Sequence, residues 1–366
     1  MTTSLAAVFA GTPNELELVS FPLPRLGRGE TLVRVLGCTL CGSDLHTFAG
    51  RRSVATPTIL GHEIVGRIES FGDASPRRDL ARQELRIGDR VTWSIVAHCG
   101  ECFYCLHGLP QKCERGVKYG HEPLRAGREL FGGLAEHCLL VRGSSIVRLP
   151  SDLPLGVACP ANCATATIAA AVAAAGSLAN RTVAVIGAGL LGLTACAMAH
   201  AGRAAEVICV DSHAGRAERA LAFGASRAIS PAEFDGAVKA ATSGYGVDVV
   251  FELSGARSAV EAAWPVLRFG GILVLVGAVS PTPPISLAPE QIVRRNLTIC
   301  GVHNYAPEHL LSAVRFLIDE HARYPFADLV SEWHPLADAR GAFAQAFDPQ
   351  RIRVGVRSLV EPLAMS

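Results

Sequence analysis

The sequence predicts an α/β protein in two parts: a β-rich first half and a second half built on a doubly wound parallel sheet. Three observations carry this. Up to about Pro160, short β-type runs are broken by Gly, Pro and Asp. Beyond Asn162, apolar runs of strand length alternate with Ala-rich stretches of helical length. One of those runs leads directly into a glycine motif at a helix start. The 366 residues suit two domains, at about 100–200 residues per domain.

In the first half, Leu32–Leu36, Ile64–Ser70 and Arg90–Ser94 read as strands, with turns at Gly88-Asp89 and Gly132-Gly133. In the second, Thr182–Ile186, Val207–Val210, Val247–Phe251 and Ile272–Val276 read as strands. Leu191–Ala201, Gly215–Phe223 and Ser258–Leu267 read as helices between them. Continuous Val/Ile runs imply strands covered on both faces, hence a parallel sheet. Leu297–Gly301 adds a strand and Glu308–His321 a helix, and the remaining tail reads as irregular.

Composition excludes several classes. Hydrophobic residues make up 49 % and charged residues 18 %, which suits a packed core rather than a disordered chain. Lys+Arg is 34 against Asp+Glu 33, so neither a nucleic-acid footprint nor a polybasic membrane anchor is expected. No apolar run approaches the roughly 20 residues of a membrane span. Met1–Ala10 has no basic segment ahead of its apolar residues, so no signal peptide is expected. There are 12 cysteines, four of them clustered between Cys99 and Cys113. Without a secretion signal, this usage points to metal rather than disulfides and to a reducing, cytoplasmic compartment.

The glycine motif is Gly187-Ala188-Gly189-Leu190-Leu191-Gly192, placed after the Thr182–Ile186 strand and opening a helix. This is the context a dinucleotide site needs. Gly187 permits the tight turn, Gly189 lets the backbone approach a pyrophosphate, and Gly192 lets helix and strand pack closely. The helix N-terminus, at Leu190 and Leu191, offers free N–H groups to phosphate. Asp211 ends the next strand, where an acid accepts from ribose hydroxyls and repels a 2′-phosphate, favouring NAD over NADP. Arg216 lies close enough in sequence to reach the ribose edge.

Two zinc sites of different kinds are predicted. Cys99, Cys102, Cys105 and Cys113 supply four thiolates from one loop, which closes a tetrahedral shell and leaves no position for chemistry. The second set is dispersed. Cys41 lies in Cys41-Gly42-Ser43-Asp44-Leu45-His46, and His62 in Gly61-His62-Glu63. A catalytic zinc needs a third protein ligand and keeps one position open. Cys163 and Cys159 both stand where that ligand could come from, and spacing does not separate them.

These motifs, in this order and over essentially the whole chain, resemble the zinc-dependent medium-chain alcohol dehydrogenases. The resemblance implies a GroES-like, partly open β-barrel catalytic domain over 1–162 and 304–366. It implies a Rossmann NAD-binding domain over 163–303. It implies Cys41, His62 and Cys163 as catalytic zinc ligands, with Glu63 behind the metal as a transient ligand. Asp44 then orients the ligand histidine, Ser43 touches the substrate oxygen, and His46 ends a proton relay. Arg353 looks like the family's pyrophosphate-contacting arginine. The implied reaction is hydride transfer between an alcohol and NAD, with aldehyde or ketone as product, in a homodimer or homotetramer. Polyol or amino-alcohol substrates of the sorbitol or threonine type fit as an alternative. From another class, so does a non-catalytic NAD-binding redox sensor.

Runs such as Lys118-Tyr119-Gly120-His121-Glu122 and Ala161-Asn162-Cys163-Ala164-Thr165 are also similar to a bacterial subgroup of alcohol dehydrogenases associated with phosphonate catabolism. That similarity implies a hydroxyalkylphosphonate as one possible substrate and Lys118 and His121 as its contacts.

Overall fold

A computed structural model of the chain describes residues 2–281 and 283–358. It divides into two compact units. The first takes the chain to Cys163 and takes it up again from Ala306 to Ile318 and from Phe326 onward. The second holds Ala164–Tyr305 and Asp319–Pro325.

The first unit is built on a seven-stranded sheet. Its central strand, Thr31–Thr39, pairs antiparallel with Glu63–Phe71 on one side and with Arg353–Arg357 on the other. The register sets Thr39 against Glu63 and Gly355. Three segments far apart in sequence therefore meet at one end of the sheet: Cys41, just past the central strand, with Glu63 and Arg353. One side of this unit buries Phe9, Leu40, Phe48, Ile59, Phe343 and Val354 together. Another cluster gathers Val33, Ile64, Val91, Trp93 and Tyr119. Phe48 and Phe343 stack with ring centroids 4.1 Å apart.

The second unit is a six-stranded parallel sheet. Its strand order is Arg227–Ile229, Glu206–Val210, Thr182–Ile186, Val247–Glu252, Leu267–Leu275, Thr298–Gly301. That order reverses direction between Thr182–Ile186 and Val247–Glu252, the switch point at whose carboxyl ends open α/β sheets bind ligands. The Leu190–Ala201 helix follows the first of these strands directly. Val183, Val185, Val249 and Phe251 are fully buried, as strands covered on both faces must be.

Two sequence expectations are corrected. The tail is not irregular: it forms the strand Val330–Pro335, the helix Ala339–Ala346 and the strand Arg353–Arg357. Ser331, Glu332, His334 and Arg353 interrupt any apolar alternation there, and pairing with the central strand, not local pattern, makes the last segment extended. The helix expected to run to Leu267 stops at Ala263. Pro265 has no N–H to continue the helical hydrogen-bond ladder, and Leu267 already belongs to the next strand. No single described helix is long and apolar enough to cross a membrane.

Candidate active site

The dispersed set comes together in the first unit. Donor atoms of Cys41, His62, Glu63 and Cys163 lie within 4.8 Å of one another. The Cys41 and Cys163 sulfurs are 4.0 Å apart. Zinc–thiolate bonds of about 2.3 Å in a tetrahedron set the sulfurs roughly 3.8 Å apart, so the pair is spaced to hold the ion. Cys159 is fully buried, and burial pushes its thiol far above the usual range. It does not join the cluster.

Asp44 organises this group. Its Oδ2 accepts the Cys41 main-chain N–H at 2.9 Å, capping the short Gly42–Phe48 helix. Its Oδ1 accepts the Gly61 N–H at 3.2 Å and sits 3.2 Å from His62 Nδ1. With Nδ1–H donating to Asp44, Nε2 of His62 is left as the metal-binding nitrogen.

A second buried pair stands behind the thiolate. Arg353 Nε donates to Glu63 Oε2 at 3.1 Å and Nη2 to Oε1 at 3.2 Å. The same Nη2 lies 3.8 Å from Cys41 Sγ. Thr39 Oγ1 donates to Glu63 Oε2 at 2.6 Å. Hydrogen bonding from Cys163, then the charge of Arg353 and a hydrogen bond with His62, holds Cys41 well below the usual thiol range despite burial. Burial pushes Glu63 up, and Arg353 only partly opposes this. The donors of Arg353 thus face Glu63, Cys41 and the Ile352 carbonyl.

Asn162 has no signature in the sequence but ties the ligands together. Its Nδ2 donates to the carbonyls of His62 and Trp93, each at 2.9 Å, and its Oδ1 accepts the Ile64 N–H at 3.3 Å. These bonds hold the turn carrying Cys163 against His62 and the start of the Glu63–Phe71 strand. The compact units divide just after Cys163.

Ser43 lies on the Gly42–Phe48 helix one residue from Asp44, and His46 is exposed in its last turn. Arg51 Nε donates to His46 Nδ1 at 3.1 Å. Burial, then Arg51, lowers the His46 pKa, so the ring is a neutral base. His121 stacks obliquely against His62, ring centroids 5.2 Å apart, and Lys118 is half-buried nearby.

The four-cysteine loop also closes on itself. Cys102–Cys105 and Cys113–Cys99 sulfurs are 3.5 Å apart, Cys102–Cys113 3.8 Å and Cys99–Cys105 3.9 Å, close to a tetrahedral zinc edge. Main-chain N–H groups of Glu101 and Cys102 point at Cys99 Sγ and, Glu101 first, hold that thiol down at about 6.

In the second unit, the three motif glycines have three different reasons. Gly187 has φ +102°, a conformation other residues rarely take. A Cβ at Gly192 would lie 1.8 Å from the Gly187 carbonyl oxygen. A Cβ at Gly189 would meet no protein atom within 4 Å, and its backbone is ordinary extended chain. The open space in front of Gly189 fits the approach of a pyrophosphate. Leu190 and Leu191 begin the helix behind it. Asp211 Oδ2 accepts the Ala188 N–H at 2.7 Å and Oδ1 the His213 N–H at 2.8 Å, so the acid is fixed beside the turn. Arg216 lies in the first turn of the Ala214–Ala222 helix.

The chain is similar to known proteins along most of its length. The family described as alcohol dehydrogenase GroES-like domain covers residues 27–151, and that described as zinc-binding dehydrogenase covers 191–319. The chain is 33 % identical to an alcohol dehydrogenase of Geobacillus stearothermophilus over 78 % of its length and 79 % of the relative's. It is 27 % identical to a D-arabitol-phosphate dehydrogenase of Enterococcus avium over 94 % of both. A crystal structure of an alcohol dehydrogenase from Thermotoga maritima superposes with TM-score 0.91 at 27 % identity, covering 98 % of this chain and all of the other.

Proposed function

The chain belongs to the zinc-dependent alcohol dehydrogenase family, and on that premise we propose a division of labour among its residues. The protein is an oxidoreductase that uses zinc and NAD on a small-molecule alcohol. Cys41, His62 and Cys163 hold the reactive zinc, and Cys99, Cys102, Cys105 and Cys113 hold a structural one. Once bound, the first zinc supplies Lewis-acid polarisation of the alcohol oxygen and NAD accepts the carbinol hydride. The rest falls to the chain. Asp44 fixes the tautomer of His62 and the position of Cys41. Arg353 and Glu63 form a neutral pair behind the metal group, and Glu63 is the side chain able to exchange into it. Ser43 receives the hydroxyl proton and passes it outward. His46, exposed at the helix end, delivers it to solvent after releasing the bond from Arg51. Gly187, Gly189, Leu190, Leu191 and Gly192 cradle the pyrophosphate, while Asp211, with Arg216 beside it, holds the ribose.

One observation carries this reading most strongly. Two sulfurs and one histidine nitrogen converge, with the other ring nitrogen already committed to a carboxylate. Such a set leaves one zinc position for substrate. The 12 unbridged thiols favour a reducing, cytoplasmic setting. The Thr298–Gly301 strand, at the edge of the six-stranded sheet, is the natural seam of a homodimer or homotetramer.

The test is a panel of primary, secondary and polyhydroxylated alcohols offered with NAD⁺ or NADP⁺ to protein of measured zinc content. Two zincs per chain with NAD⁺-preferring turnover is the expected result. NAD⁺ binding without hydride transfer from any alcohol would favour a redox sensor instead.

A further inference from the structure

The seven-stranded sheet carries an arginine groove that neither the metal group nor the glycine turn uses. Strands Ile146–Arg148, Arg90–Trp93, Glu63–Phe71, Thr31–Thr39 and Arg353–Arg357 lie side by side. All but Thr31–Thr39 bring an arginine to the groove, which has two lobes. Arg67, Arg90 and Arg148 line the larger, of about 570 Å³. Arg67, Arg90 and Arg357 line the smaller, of about 330 Å³. Small-ligand sites usually span about 300–1,000 Å³. No ligand of the reactive zinc lines either lobe.

The walls carry unrelieved positive charge. Arg67 stands directly opposite Arg90 on antiparallel strands. That puts their Cβ atoms about 4.5–5.5 Å apart on one face, a destabilising position for like charges. Arg67 is also opposite Arg34, but Glu69 takes the Arg34 charge at 3.3 Å. Among the described residues, no carboxylate pairs with the guanidinium of Arg67, Arg90, Arg148 or Arg357. Only two acids, Asp89 and Asp152, line the groove. Four guanidiniums therefore keep a surplus of two positive charges.

Two of these arginines are held in place with donors to spare. Arg90 Nη1 donates to the carbonyls of Pro150, Ser151 and Leu153 at 3.3, 3.1 and 2.6 Å, and its Nε and Nη2 are not spent on them. Arg357 lies over the Trp333 ring, 4.5 Å from its centroid, and its Nε is buried with no partner. Stacking engages the flat face of a guanidinium and leaves the donor edge for an oxyanion. A buried donor without an acceptor is costly, and an anion in the groove supplies one.

We propose that this groove is a binding site, separate from the reactive centre, for a small oxyanion of two or more negative charges. The anion sits between Arg67 and Arg90, with Arg357 or Arg148 at its ends. Phosphate esters and di- or tricarboxylates share this chemistry. The site is tied to the metal group through the sheet. Glu63 begins the strand that carries Arg67, and Arg353 begins the strand that carries Arg357. An anion spanning Arg67 and Arg357 therefore joins the two strands whose first residues form the buried Glu63–Arg353 pair.

The experiment uses zinc-loaded, full-length protein saturated with NAD⁺, so that the glycine turn is occupied. Sodium sulfate and sodium succinate are titrated by calorimetry at an ionic strength fixed with sodium chloride, with sodium acetate as the single-charge control. One dianion should bind per chain, about tenfold or more tighter than acetate. The tighter of the two tells a tetrahedral oxyanion from a pair of carboxylates. Arg67→Gln, which removes no bond within the protein, should weaken binding by roughly 10- to 100-fold. Arg357→Gln should act in the same direction, with zinc content and NAD⁺ affinity unchanged, and Arg148→Gln serves if that variant does not fold. Absence of saturable binding by either dianion overturns the site. So does binding that survives both Arg67→Gln and its companion substitution. Binding that vanishes in Cys163→Ser protein would place the anion on the reactive zinc and overturn the groove as well. None of these readouts involves hydride transfer.

Discussion

Arg353 closes a two-bond ion pair with Glu63 across 290 residues of sequence, through Nε–Oε2 at 3.1 Å and Nη2–Oε1 at 3.2 Å. Both side chains are buried. The pair exists because the Arg353–Arg357 strand lies beside the Thr31–Thr39 strand in the sheet, with Val356 opposite Cys38 and the Leu40 N–H bonded to the Val354 carbonyl at 3.0 Å. The loop carrying Cys41 is thereby anchored by the Arg353–Arg357 strand.

Breaking that pair from one side leaves a buried charge alone. Arg353→Met should destabilise the protein by roughly 3–5 kcal/mol, whereas Glu63→Met combined with Arg353→Met should recover much of the loss. Chemical denaturation of the single and double variants checks this. A single variant within 1 kcal/mol of wild type, roughly the cost of an exposed pair, contradicts it.

Asn162 makes its own prediction. Asn162→Ala strips donors from the carbonyls of His62 and Trp93 in a fully buried setting, a cost of about 1–3 kcal/mol per unsatisfied group. Zinc affinity should fall about 10- to 100-fold, as for other residues that support a ligand without touching the metal. Competition with a zinc chelator reads this out, and an unchanged affinity would detach Asn162 from the site.

The four-cysteine loop should behave as a separate module. Replacing Cys99 and Cys102 together by Ser should remove one zinc per chain, leave the other bound, and expose residues 96–118 to limited proteolysis. Loss of both zincs, with the loop still protected, would show that the loop is not an independent metal site.

Asp211 tests cofactor choice. Its carboxylate is fixed beside the glycine turn by the Ala188 and His213 N–H groups, where it opposes a 2′-phosphate. Asp211→Ser should shift the NAD⁺/NADP⁺ ratio of kcat/KM toward NADP⁺ by about tenfold or more. A ratio that stays put assigns the preference to other residues.

Much of this was legible in the sequence because it is local. The turn at Gly187–Gly192 and the spacing of Cys99, Cys102, Cys105 and Cys113 each carry their geometry within a few residues, and the buried Val/Ile strands announce themselves by composition. What was not legible depends on register between distant segments. The resemblance picks out Arg353 only as an arginine for pyrophosphate; its pairing with Glu63 depends on sheet register, and the short charged strand around it has no apolar alternation to mark it. Asn162 looks like an ordinary turn residue, and only its bonds to His62 and Trp93 make it a tie. Arg67 is one arginine among many until the sheet sets it opposite Arg90.

The most direct test of the central claim is the zinc content and alcohol-dependent NAD⁺ reduction of Cys163→Ser, with wild-type protein alongside and circular dichroism confirming that both are folded. The geometry predicts one zinc in place of two and turnover reduced by several orders of magnitude, with the four-cysteine loop still loaded. Two tightly held zincs and undiminished turnover would contradict it, and would place the reactive metal somewhere other than Cys41, His62 and Cys163.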